Sequence, residues 1–222
     1  MMRRAVMILA CACAAGACGD DGPTSPSSGT RVSAFVTSAT SVTGNLGGIR
    51  GADATCQRLA TAAGHGNRTW RAYLSVESDP DNGNRPTDAR SRIGPGPWFN
   101  SLLAPVASDL SALHARRGDA GLFLDEHGRR INGQWPDSPR PIEHNILTGS
   151  TAEGTLMRGM TCADWTSDST SVTGQVGHSD GLGPNADTSG TLSSWNSAHA
   201  NQNCANTAPR GGAGRFYCFA RD

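Results

Sequence analysis

The chain has 222 residues, with 19 basic and 19 acidic side chains, a formal charge of +0 and a mean hydropathy of −0.40. That balance excludes the electrostatic footprint of a nucleic-acid binder. Every basic residue is an arginine, which we read as a compositional habit rather than a site.

In chain order, Arg3 and Arg4 precede an apolar run from Ala5 to Ala10 and then the small residues CACAAGAC, ending at Cys18. This is the pattern of an export signal, and the run falls short of the roughly 20 apolar residues that span a bilayer. Ala15-Gly16-Ala17-Cys18 is similar to a bacterial lipobox, which would make Cys18 the lipidated mature N-terminus. Ala15 stands where that pattern prefers leucine. An ordinary signal cut near Ala17 is the competing reading, and both predict export. Acylation of Cys18 would fix the protein to the outer membrane or cell surface without threading it through the bilayer.

Residues 19–30, GDDGPTSPSSGT, cannot bury apolar surface and read as a flexible tether. The folded domain is expected over 31–222, a normal size for one unit. Without Arg3 and Arg4 the chain keeps 17 basic against 19 acidic residues.

Alternation in RVSAFVTS (31–38) predicts a strand. GADATCQRLATAAG places Ala52, Cys56, Leu59, Ala60 and Ala63 at helical spacing, with Asp53 in the first turn and Gly64 closing it. WRAYLS (70–75) predicts a second strand, and ESDPDNGNRP (77–86) a loop. PVASDLSALHA suggests a short helix capped by Ser108, with Leu110 and Leu113 inward. GLFLDEHGRRI reads as two short strands about His127-Gly128. NILTGS (145–150) and GRFYCFA (214–220) are buried strands. Thr166–Gln202 shows almost no periodicity, and so long a loop is usually functional or tied down.

Cys56, Cys162, Cys204 and Cys218 remain once Cys11, Cys13 and Cys18 are set aside in the signal. An even count in an exported domain predicts two disulfides. Zinc, the competing reading, usually needs ligands paired two to four residues apart, and no such pair occurs. Four cysteines allow three connectivities, and spacing does not choose among them.

The order of landmarks does suggest a relationship. ATCQRLATAAGHGNRTWRAYLS, LFLDEHGRRI, ILTGS, CADWTSDSTSVTG, NCAN and FYCFA follow one another as in the endostatin-type domain. The FVTS, GNLGG, GAD and CQ opening resembles bacterial surface lipoproteins sharing that domain. The resemblance covers Val32 to Asp222. It implies an α+β fold of C-type-lectin-like (endostatin) type: a mixed sheet, two helices and a long disulfide-pinned loop region. It also implies nested bonds, Cys56–Cys218 outside and Cys162–Cys204 inside.

The family's ligand residues carry over poorly. Endostatin's zinc histidines would fall in GPTSPSSGTRVSAF, which has none. One of its heparin-binding arginines corresponds to Thr166, whereas Arg71 does match a family arginine. The sugar-and-calcium motifs of lectins are reduced here to Trp195-Asn196-Ser197, with no Glu-Pro-Asn. Trp195 and Asn196 remain candidates for contact with a sugar or partner from the long loop. Arg116, Arg117, Arg129 and Arg130 form two pairs suited to a sulfated or phosphorylated polysaccharide, or else a solvated face beside Asp119, Asp125 and Glu126. Asp164, Asp168, His178 and Asp180 are the weak metal candidates, with Ca²⁺ the ion their oxygens would favour. Trp165 is expected in the core.

No nucleophile, metalloprotease or phosphate-loop motif occurs, so neither a catalytic residue nor a resident cofactor is expected. The sequence therefore points to an exported, lipid-anchored, non-catalytic binding or adhesion module. Its long loop would meet an extracellular glycan or protein. An enzyme acting on an envelope or matrix polymer and a purely structural envelope lipoprotein are the alternatives.

Overall fold

The run FYCFA explains the architecture, because apolar residues placed consecutively in a strand must be buried on both faces. In a computed structural model, which describes residues 31–222, this run ends the longest strand. Phe216, Cys218 and Ala220 enter one apolar cluster, and Tyr217 and Phe219 enter the other. The predicted signal, Cys18 and the tether lie outside the described residues.

Strand β10 (Gly212–Ala220) is the axis of a six-stranded mixed sheet. It pairs antiparallel with β1 (Ala34–Val36) and β2 (Trp70–Ala72), and parallel with β7 (Asn145–Leu147). Beyond β7 lie β8 (Gln175–His178) and then β9 (His199–Ala200), both antiparallel. Two small hairpins stand apart: β3 (Val76–Asp79) with β4 (Arg85–Thr87), and β5 (Trp98–Phe99) with β6 (Pro105–Ala107). The fold is mixed α+β.

Helix α1 (Gly48–Ala62) lays Ile49, Ala52, Cys56, Leu59 and Ala60 against the sheet. It starts earlier than the sequence suggests, at Gly48, after Gly47 adopts φ 76°. Asp53 is therefore mid-helix and buried rather than in the first turn. Its carboxylate accepts hydrogen bonds from Arg92 at 2.7 and 2.8 Å, Arg71 at 3.0 Å and the amide of Ala72 at 2.8 Å. A buried carboxylate needs such partners, since an unpaired one would cost several kcal/mol.

Two further short helices are α2 (Ala89–Arg92) and α3 (Leu110–His114). Asp109, not Ser108, caps α3, accepting from the amide of Ala112 at 2.9 Å. Ser108 instead donates to Asp109.

The predicted 77–86 loop is mostly the β3–β4 hairpin. Its polar composition hid the pairing, because only Val76 and Asp79 of β3 are buried. The two strands expected around His127-Gly128 are reduced to a bridge between Leu124 and Arg130. There the Asp125 carboxylate accepts from the amides of His127 and Arg129, each at 2.9 Å, and closes the turn itself.

Cysteines pair as 56–218 and 162–204. The first ties α1 to β10, and the second joins the ends of the segment that holds β8 and β9. At its start, Cys162–Trp165 form one left-handed turn with φ between 48° and 64°. Non-glycine residues resist that conformation, so surrounding contacts must hold it. Trp165 is fully buried and donates to the carbonyl of Ser75 at 2.9 Å. Asp164 accepts from the amides of Glu77 and Ser78.

Candidate functional site

The segment 166–202 is irregular over most of its length, as its composition suggests, but it is not a free surface loop. It contributes β8 and β9 to the sheet, and the polar residues Gln175, His178, Ser179, Asp180, Asn196 and Ser197 are buried there, whereas Thr166, Asp168 and residues 184–191 stay exposed. Gly177 permits the crossing, since a Cβ there would lie 1.9 Å from the carbonyl oxygen of Trp195. This packing carries Trp195 into the core. It is 0% exposed, stacks on Phe123 with centroids 5.2 Å apart, and donates to the carbonyl of Leu113 at 3.0 Å. Asn196 is also internal, its amide spanning the Tyr73 hydroxyl and the carbonyls of Thr151 and Ala152, each at 3.1 Å. Neither residue presents a surface to a sugar. That expectation is corrected.

The weak metal candidates do not converge either. Asp164 is engaged by β3, and Asp168 is exposed on a separate turn. Among the described residues, no three histidine, cysteine, aspartate or glutamate side chains form a metal cage.

His178 and Asp180, however, meet two histidines that sequence spacing did not connect. His144 Nδ1 donates to Asp180 Oδ1 at 2.7 Å, and the ring of His144 stacks on that of His178 at 4.3 Å. His178 Nε2 faces His199 Nε2 at 3.0 Å. Together with Gln134, Pro184, Leu192 and Arg210, the three imidazoles line a cavity of about 350 Å³.

Each wall has a local cause. In the register of β7 with β8, Asn145 lies opposite His178, which sets His144 next to it. Asp180 also accepts from the amides of Gln134 at 2.6 Å and Leu182 at 3.1 Å. Burial works against its charge, but these bonds and His144 outweigh that and hold its carboxyl below the ordinary carboxylate pKa. Gly133 lets the 133–135 turn close over it, since a Cβ there would lie 2.1 Å from Asp180 Oδ2. Burial first, then the neighbouring His144 and His199 rings, draw His178 down to about 4. Burial also lowers His199. Both shifts favour the neutral ring.

The next residue on that turn, Trp135, is half-buried and carries the Arg130 guanidinium 5.3 Å from its ring centroid. The other four tryptophans are all buried.

Of the remaining candidate arginines, all but Arg117 have internal side-chain partners. Arg116 donates to the carbonyl of Val106 at 2.6 Å, and Arg129 to Asp125 at 2.8 Å. Arg71 bonds Asp53, whereas Arg117 is exposed and only its backbone bridges to Ser194. They do not assemble one anion site. A larger polar cavity of about 590 Å³ is lined by residues including Asp53, Arg71, Asp79, Asp81 and Arg92, which are ion-paired, and by Asp88 and Arg221, which form no ion pair among the described residues. Arg92 serves Asp53 and Asp79, and Asp81 serves Arg50.

Chemically, an Asp180–His144 pair resembles half of a general-base system, yet no serine, threonine or cysteine lines the cavity. No sequence signal joined His144, His178 and His199, which lie far apart along the chain.

Compared with known protein families and with curated proteins, the chain matches none.

Proposed function

We propose that the chain is an exported, lipid-anchored binding module of the C-type-lectin-like, endostatin type, taking an extracellular glycan at the histidine-lined pocket. The nested disulfides and the mixed sheet around β10 support the fold assignment. Trp135 carries the functional one. It is the tryptophan that solvent reaches, and it adjoins the pocket residue Gln134. An aromatic face stacks on the C–H face of a sugar ring, while Gln134, His199 and Arg210 supply hydrogen-bonding groups for hydroxyls.

Calcium has no part in this reading, because Asp164 and Asp180 are engaged by backbone amides and His144 and Asp168 stands exposed by itself. A glycan array probed with the purified protein, with and without Ca²⁺, tests it. Specific hits unaffected by Ca²⁺ are expected, and Trp135→Ala should weaken them at least tenfold, about 1.4 kcal/mol, with unchanged circular dichroism. Hits indifferent to Trp135→Ala, or turnover of a polymer, would contradict it.

A further inference from the structure

We propose that His178 and His199 form a two-nitrogen site for one divalent transition-metal ion of the Cu²⁺, Ni²⁺ or Zn²⁺ class, on the wall of the same pocket. The inference stands apart from the glycan reading.

It begins with the two outer nitrogens. His178 Nδ1 lies 2.9 Å from the carbonyl oxygen of Leu192, and His199 Nδ1 lies 2.8 Å from that of Ala200. A carbonyl oxygen only accepts, so each Nδ1 must carry the hydrogen. In a neutral imidazole the other nitrogen is then bare. The two Nε2 atoms therefore face each other at 3.0 Å with a lone pair each and no proton between them. A hydrogen bond there would require one ring to become an imidazolium, which their burial opposes.

A metal ion relieves this conflict by accepting both lone pairs. At the usual metal–nitrogen distance of about 2.0–2.1 Å, nitrogens 3.0 Å apart subtend an angle of about 90° at the ion. Those are neighbouring positions of a square-planar or octahedral shell, the preference of Cu²⁺ and Ni²⁺. Widening the gap by about 0.3 Å reaches the tetrahedral geometry of Zn²⁺. Imidazole donors exclude Ca²⁺ and Mg²⁺, which seek oxygen. The Leu192 and Ala200 carbonyls fix the tautomer and aim each ring, the role outer partners take around metal-bound histidines.

His144 is not a third ligand. Its ring is stacked on His178 with only 12° between the planes, so an ion in the plane of His178 lies off the plane of His144. With Asp180 it places a carboxylate close by. Arg210 opposes the ion's charge, and its guanidinium donates at 3.3 Å to the same Ala200 carbonyl that holds His199. The open cavity leaves room for water or a ligand group to complete the shell.

The test is calorimetric titration and Cu²⁺ electron paramagnetic resonance on the full chain after chelator treatment. One equivalent of Cu²⁺ is expected in this site, with nitrogen couplings from two imidazoles, and no displacement by excess Ca²⁺. Because His178→Gln removes a buried ring, His199→Gln at the half-buried rim is the deciding variant. It should weaken that equivalent at least 100-fold while thermal unfolding stays unchanged. His127→Gln, at an exposed histidine, should leave it intact. A two-imidazole signal that survives His199→Gln would overturn the proposal. So would absence of that signal, including the case in which ¹⁵N spectra show one proton shared by the pair.

Discussion

Trp195→Ala is expected to lower the unfolding free energy by about 3–5 kcal/mol, the cost of deleting a large ring from a packed core. Trp195 is surrounded by Tyr73, Phe123, Tyr217 and Phe219, with ring centroids 4.9–6.2 Å away. Its indole N–H also satisfies the buried carbonyl of Leu113, which the alanine would leave without that donor. Urea denaturation measures the loss. A change below about 0.5 kcal/mol, within the range of ordinary surface substitutions, would contradict its place in the core. The contrast with Trp135 is the informative part. Both are tryptophans in polar stretches of sequence, yet Trp135→Ala should alter ligand binding and Trp195→Ala should alter stability.

Removing the inner disulfide, as Cys162→Ser with Cys204→Ser, should cost about 4 kcal/mol from the restored freedom of the unfolded chain, given its sequence separation of 42. The native state loses support as well, because the left-handed turn at Cys162–Trp165 is held partly by this bond. Between the two cysteines lie β8, His178, Asp180 and His199. Ligand binding at the pocket should therefore weaken together with thermal stability. For a chain of this length, a change of that size lowers Tm by roughly 10 °C. A double variant that unfolds like the parent protein would show that packing alone fixes the segment.

How much was legible in the sequence depended on how locally each feature is encoded. Alternation near Val36 and Trp70 marked β1 and β2, and the continuous apolar run around Tyr217 marked β10, since side-chain pattern reports directly on the faces of a sheet. The core of α1 was readable from Ala52, Cys56 and Leu59. Its start was not, because Gly47 and Gly48 in left-handed conformations act through backbone geometry rather than through a capping side chain. β8 and β9 were missed because Gln175, His178 and His199 are polar residues whose burial is licensed only by partners distant in sequence. The same reason hid the pocket. His144, His178 and His199 meet through the β7–β8–β9 register, and no spacing along the chain encodes that. Trp195 was misplaced because its neighbours Ser194, Asn196 and Ser197 look like a surface loop, whereas they are buried or hydrogen-bonded inward.

The proposed function puts a ligand at the His144–His178–His199 pocket, with Trp135 beside its lining residue Gln134. Amide and indole chemical shifts recorded by NMR during titration with a glycan hit test this directly. The account predicts perturbations concentrated at Gln134, Trp135, His144, His199 and Arg210. Shifts confined to Arg116, Arg117 and Arg129, or to the Asp53–Arg92 cavity, would contradict it.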